Sequence, residues 1–242
     1  MKRIAIFVVG GLDDSNSGNH VPTLYGCVAK LSERYDITAY SQSRIGIEAH
    51  VGKCGNAFVK HLPVDRSTNP ISRGYAFLSE FIRDHATKPF HVVHAFWGLP
   101  CGLYALSAAR MKHLDVILSL MGGETAALPH VEYGRLRSFP EREIMMWVLK
   151  NTPLLVTQSE FQAWELVELG IKRERISIIP HGVEGKPFRV YKKRRIAPPY
   201  RFLHVGTLNE VKDQVSLLLA FSRISKHADA TLRILGEGHL EN

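Results

Sequence analysis

Lys212 stands in V-G-T-L-N-E-V-K-D-Q (205–214), just ahead of a stretch with helical periodicity. The positive end of a helix disfavours a cation, so a lysine placed there points to an anion at the same spot, or else it is an ordinary solvated side chain with no role. A diphosphate is one that a lysine and the free N–H groups of a helix start could balance together. Glycines recur in comparable places. Gly10 and Gly11 open G-G-L-D-D-S-N-S-G-N-H (10–20), where the missing Cβ lets backbone near a phosphate. The spacing is not G-x-G-x-x-G and no Walker lysine follows, so a plain flexible loop fits the same residues. Gly236 and Gly238, flanking Glu237, close the last apolar burst and would let a base or ribose lie against backbone. In M-G-G-E-T-A-A-L-P (121–129), Gly122 and Gly123 open the chain and Glu124 could accept hydrogen bonds from hydroxyls. The other reading is a tight turn with a solvated carboxylate. Trp97, in F-W-G-L-P (96–100), offers a stacking face for a sugar or an apolar acceptor, or else it packs at a strand end.

These loops need a frame, and the apolar pattern supplies one. Short apolar bursts at 3–9, 36–41, 57–64, 91–96, 115–123, 153–159 and 176–180 read as strands. Between them lie helical periods at 21–35 (Val21, Leu24, Val28 and Leu31 on one face), 72–85 (Tyr75, Leu78, Phe81 and Ile82 on its apolar side), 102–112, 140–151 and 160–170. Pro140 sits where a first turn tolerates it, and Gly170 where a left-handed cap is relieved. Such alternation predicts an α/β fold, a doubly wound parallel sheet with helices on both faces. In such sheets, ligands gather at the carboxyl ends of strands, where the loops above fall.

Past Phe188 the texture changes. R-V-Y-K-K-R-R-I-A-P-P-Y has no apolar period and reads as a linker over 189–200. A strand (201–206), a helix (213–227) and a strand (230–238) then restart the pattern. The expected organisation is one domain over 1–188 and the start of a second over 201–242, too short to cover its own sheet on both faces.

Cys27, Cys54 and Cys101 are too few and too irregular for a disulfide framework or a zinc site, which suggests reduced thiols in a cytoplasmic protein. The opening apolar run, Ile4 to Val9, is shorter than a secretory core and reads as a buried strand; no run approaches the ~20 residues of a membrane span. The net charge of +8 favours an acidic partner, whether phosphorylated small molecule, anionic membrane surface or nucleic acid. No nucleic-acid motif accompanies K-K-R-R (192–195), so nucleic acid is set aside.

Taken in order, the segments resemble the retaining GT-B glycosyltransferases of family four. H-V-V-H-A-F-W-G-L-P-C-G-L-Y-A resembles the family's D-V-V-H-A-H loop, L-S-L-M-G-G-E its T-x-H-G segment, and V-T-Q-S-E-F-Q-A-W-E-L-V-E-L-G-I its V-S…L-x-x-x-G-I segment. I-I-P-H-G-V-E-G-K-P-F resembles I-P-N-G-V-D-x-x-x-F, and L-H-V-G-T-L-N-E-V-K-D-Q-V-S-L-L-L-A-F resembles V-G-R-L-x-x-x-K-G-x-x-x-L-L-x-A-F. The resemblance implies two Rossmann-like domains, the second incomplete here, with the acceptor held by the first and a nucleotide-sugar donor mostly by the second.

It also implies Lys212 as the catalytic cation at the donor phosphates. Gly10, Gly11, Gly206, Thr207, Gly236, Glu237 and Gly238 would lie around the donor, and Trp97, Gly122, Gly123 and Glu124 on the acceptor side. No metal or other cofactor is implied. Two residues depart from the pattern: Thr207 stands where the family commonly has an arginine, removing one cation, and Met121 where it often has a histidine. The chain also ends before the family's E-x(7)-E position, which suggests truncation within the donor domain. The expected activity is transfer of a sugar with retention to a glycan or lipid-linked acceptor in cell-surface polysaccharide or glycolipid synthesis. It would take place in the cytoplasm, with peripheral contact to the inner face of an anionic membrane. The alternative is a non-catalytic acceptor-binding module, or one subunit of a split enzyme.

Overall fold

The computed structural model describes residues 1–12, 21–42, 49–62, 69–183 and 197–241. Contacts divide the chain into two compact units, Met1–Leu128 with Gly134–Gly185, and Pro129–Tyr133 with Lys186–Asn242. Residues 189–196 of the expected linker, and residues 13–20 of the first glycine loop, lie outside the described set.

In the first unit, eight strands form one sheet: β1 (Arg3–Val8), β2 (Asp36–Gln42), β3 (His50–Cys54), β4 (Ala57–Leu62), β5 (Val92–Phe96), β6 (Asp115–Ser119), β7 (Leu154–Thr157) and β8 (Ile176–Ile178). Their order is β3-β4-β2-β1-β5-β6-β7-β8. Every neighbouring pair is parallel except β3 with β4. The connecting helices are α1 (Pro22–Leu31), α2 (Pro70–Thr87), α3 (Leu103–Lys112), α4 (Glu141–Asn151) and α5 (Glu160–Glu168).

The period of two in β1 explains the double winding. Ala5 and Phe7 enter one apolar cluster, built with Tyr40, Phe77, Phe81, Phe90 and Leu118. Ile6 and Val8 enter the opposite one, built with Leu24, Val28, Ile37 and Val59. A strand with both faces buried needs an unbroken apolar run, and β1 has one. The opening residues are therefore a buried strand, as their length implied. Phe7 meets Tyr40, Phe77 and Phe81 edge to face at 5.3–5.8 Å between centroids, a geometry rings prefer over a face-to-face sandwich. Arg3 and the Tyr40 hydroxyl also join the sheet to α2. The guanidinium donates to the carbonyls of Asp84 and Lys88, and the hydroxyl to the Asp84 carboxylate at 2.7 Å.

The sheet is the expected α/β one and mostly parallel; β3 adds an antiparallel edge through a two-residue turn at Gly55-Asn56, with Cys54 paired to Ala57 across it. One sequence expectation needs correction. Tyr75 does not lie on the apolar side of α2; it is 75% exposed, while Phe77 is buried. Gly74 sets the packed face, since a Cβ there would stand 2.7 Å from the Tyr104 ring of α3. Other elements shift by a few residues. The expected strand 115–123 ends at Ser119 and the expected helix 21–35 at Leu31, while α5 closes with Gly170 at φ +83°.

The second unit holds β9 (Tyr200–Val205) and β10 (Ala230–Leu235), a parallel pair joined by α6 (Gln214–Ile224). Leu203, Val205, Leu218, Leu219 and Leu235 are each more than half exposed, so this β-α-β unit leaves much of its apolar surface open.

Candidate active site

In the first unit the expected site residues follow three adjacent strands of the sheet. Gly10 and Gly11 come after β1, Trp97 after β5, and Gly122, Gly123 and Glu124 after β6, all at the carboxyl edge where parallel sheets place ligands. Gly10 and Gly11 take φ of +71° and +85°, which only glycine adopts at little cost. The Gly11 carbonyl accepts from the Val21 N–H at 3.0 Å, which ties this loop to the start of α1.

Glu124 does not have the solvated carboxylate of a simple turn. It is 2% exposed, and its Oε1 accepts from the Gly98 N–H at 3.3 Å and the Met121 N–H at 3.0 Å. One carboxylate thus joins the loops after β5 and β6. Its Oε2 is buried and has no hydrogen-bond partner among the described residues. Burial raises the pKa of this carboxyl, against the opposing pull of the backbone N–H groups. Trp97 sits between the loops at φ +68°, a strained conformation for a large residue, and its partly buried side chain packs with Met121 against the second apolar cluster.

The raised pKa has a signed consequence. A carboxyl that is harder to ionise when folded favours the native state at acid pH, and that benefit fades as pH rises through its native pKa. Glu124→Gln keeps an oxygen for the two N–H groups and cannot ionise. Its new amide N–H group replaces Oε2, which lacks a partner among the described residues, and costs some stability at every pH, but the variant is expected to show a smaller loss of stability than the parent between pH 4 and 7. Urea denaturation across that range checks this, and a loss as steep as the parent's would contradict it.

Several polar partners in this region escaped the sequence reading. His94 Nε2 lies 2.9 Å from Ser119 Oγ, joining the middle of β5 to the end of β6, and burial lowers the imidazole to about 4, so it is neutral at physiological pH. Gln158 Nε2 donates to the Leu120 carbonyl at 3.1 Å and makes a long contact, 3.8 Å, with the Met121 sulfur. Met121 is therefore an acceptor, though a weak one. Thr125 Oγ1 donates to Glu165 Oε2 at 2.8 Å. A glutamine after an apolar burst was the available signal at Gln158.

In the second unit, Gly206, Thr207 and Lys212 follow β9, and Gly236, Glu237 and Gly238 follow β10. The two loops interlock through backbone: the Gly206 N–H donates to the Leu235 carbonyl and the Leu208 N–H to the Glu237 carbonyl, both at 3.0 Å. Lys212 ends a short turn capped by Asn209, whose Oδ1 accepts from the Lys212 N–H at 3.2 Å. A Cβ on Gly206 would stand 3.9 Å from Lys212 Cγ, so the lysine stem runs beside the glycine that ends β9.

Asp213, at φ +48°, caps α6 through Ser216 N–H. Glu210, the nearest acid in the turn, pairs with His239 at 2.8 Å. No ion pair of the exposed Lys212 ammonium is found among the described residues. Gln214, buried at the first turn of α6, donates to the Thr207 carbonyl at 2.9 Å and so holds the position where an arginine was expected. Among the described residues, no group of three or more His, Cys, Asp or Glu is placed to hold a metal ion, and no helix is long and apolar enough to cross a membrane.

Known structures share this architecture. Sucrose-phosphate synthase from Thermosynechococcus elongatus superposes with a TM-score of 0.73 at 14% identity, over 98% of this chain and 62% of that one. Anabaena HepE in complex with UDP and glucose gives 0.68 at 10% identity, over 98% and 62%. UDP-N-acetylglucosamine 2-epimerase from Rickettsia bellii gives 0.54 at 10%, over 99% and 62%. At these identities the likeness is one of fold, and the chain spans less than two thirds of each of these proteins. No curated protein matches it. The family model described as Glycosyltransferase Family 4 matches residues 24–185, well over half the chain, and to that family the chain belongs.

Proposed function

We propose that the chain forms the acceptor-side lobe and the first part of the donor-side lobe of a retaining glycosyltransferase that uses a nucleotide-sugar. The observation that carries this reading is Lys212: an exposed ammonium without an ion-pair partner among the described residues, its stem against Gly206, two residues ahead of the capped start of α6. Lysine and helix start together suit the charge that builds on a departing nucleoside diphosphate, and fixed donors of this kind lower a barrier without reorganising. Thr207 replaces a second cation, so Lys212 bears more of that task. Anabaena HepE is described with UDP and glucose, which supports a uridine nucleotide as the first ligand to test.

In this reading no metal takes part, the acceptor is a glycan or lipid-linked sugar, and the work is done in the cytoplasm, with a basic surface near an anionic membrane. Titrating UDP into the protein by calorimetry tests the donor site. Saturable heat at micromolar to millimolar UDP is the expected result, and none at millimolar UDP overturns the proposal. A second reading, in which this chain is one subunit of a split enzyme or an acceptor-binding module, draws on the open apolar surface at Leu203, Val205, Leu218 and Leu219. The missing cover would then come from another chain.

A further inference from the structure

An open cleft of about 550 Å³ lies in the first unit, between the segment Gly122–Leu128 and the start of α5. That volume falls within the roughly 300–1,000 Å³ of small-molecule sites. Its floor is open backbone: Gly122 and Gly123 have φ of +116° and +72°, and a Cβ on Gly122 would meet nothing within 4 Å. The polar groups along it are the Thr125–Glu165 pair, Gln158, Ser159 and Gln162, with no Lys, Arg or His among the lining residues.

At its rim α5 turns two large rings outward. Phe161, which lines the cleft, is 65% exposed, and Trp164, three residues on, is 57% exposed; their centroids are 6.0 Å apart. The residues behind them on the helix, Gln162, Ala163 and Leu166, are buried, so this aromatic face is surplus to the core.

The chemistry of the lining selects its ligand. A carboxylate with no cation among the described lining residues repels a phosphate or a uronate. It also disfavours an alkyl chain, whose contact would strip Glu165 of water with nothing in exchange. Amides, a hydroxyl and a carboxylate instead match the hydroxyl groups of an uncharged sugar. Exposed rings beside them suit the C–H face of a pyranose, burying area with few torsions to freeze.

Resting on the glycosyltransferase reading above, we propose that this cleft and the Phe161–Trp164 face form an acceptor subsite for a neutral oligosaccharide. One ring is hydrogen-bonded along Thr125, Glu165 and Gln158, and the next is stacked on Phe161 and Trp164. The acceptor end that enters the first unit is thus a glycan of at least two neutral sugars.

The probes are a panel of neutral di- and trisaccharides with gluco, galacto and manno configurations, their uronic-acid counterparts, and vesicles of anionic phospholipid. Binding is read by saturation-transfer NMR and by vesicle flotation. At least one neutral probe is expected to bind saturably. Affinity should fall at least fivefold in Phe161→Ala, Trp164→Ala and Glu165→Gln, hold within twofold in Trp164→Phe, and be weaker for acidic probes. Circular dichroism confirms that the surface variants fold. Absence of saturable binding by any neutral probe overturns the subsite, and so does a preference for acidic probes, or vesicle binding that alone depends on Trp164. UDP titrated into the same sample separates the two readings, since UDP binding without saccharide binding removes the subsite and leaves the donor site standing.

Discussion

Lys212→Ala is expected to lower the rate of sugar transfer from a nucleotide-sugar by about 10²–10³-fold, the range seen when one fixed donor to a developing negative charge is removed. The size of the loss follows from the surroundings. Thr207 cannot stand in for an arginine, Glu210 is paired with His239, and the α6 start offers only backbone N–H groups and their partial charge. No second cation of the turn is close by in sequence, because residues 205–214 contain Lys212 as their only basic side chain. The fold should be unaffected, since the lysine is exposed and its backbone N–H, held by Asn209, survives the substitution. Two measurements separate the roles. UDP affinity by calorimetry reports ground-state binding, and transfer at saturating donor reports what is gained only in the transition state. Lys212→Arg should restore part of the rate, as it keeps the charge with a different geometry. Turnover unchanged in Lys212→Ala would remove the residue from the site.

The parts of this molecule that could be read from sequence are those set by local pattern. β1 is legible because both of its faces are buried and Ile4 to Val8 are apolar without a break; α5 is legible because a period of three to four runs up to Gly170. The glycines after β1, β6, β9 and β10 were found for the same reason, as breaks that follow apolar bursts. Fine polar pairing was not legible. Glu124 in a glycine turn reads as solvated until the strand order sets β5 beside β6 and brings the Gly98 N–H to it. Alternation of strand and helix predicts that a sheet exists and says little about which strands are neighbours. Gln214 and Gln158 were missed likewise, because each satisfies a carbonyl in a different segment. β3 was missed through a glycine and a lysine that dilute its apolar content, although Gly55-Asn56 between two short runs is a hairpin signal. Tyr75 turns outward because the packed face of α2 is set by the close approach of Gly74 to the Tyr104 ring, which apolar periodicity does not show.

Gly236→Ala should unlock the two loops of the second unit. A Cβ at this position would lie 1.9 Å from the Gly206 carbonyl oxygen and 2.8 Å from its carbon. Both are backbone atoms, so no side-chain rotation relieves the clash, and the ends of β9 and β10 must separate. That movement breaks the hydrogen bonds from Gly206 to Leu235 and from Leu208 to Glu237. Forced overpacking costs about 1–3 kcal/mol where side chains can adjust; against rigid backbone, with two hydrogen bonds lost, about 3 kcal/mol or more is expected.

The loss should be local. Amide exchange at Gly206 and Leu208 should quicken by two orders of magnitude or more, while β1 and β5 in the first unit keep their protection. Because Lys212 rests beside Gly206, UDP affinity should fall in the same variant even though the lysine is untouched. Gly26→Ala provides the contrast. That glycine is exposed within α1 and a Cβ there meets nothing within 4 Å, so alanine should stabilise the first unit by roughly 0.5–1 kcal/mol. If Gly236→Ala exchanged like the parent at Gly206 and Leu208, the backbone contact that holds the two loops together would not exist in solution, and the expected fall in UDP affinity would lose its physical reason.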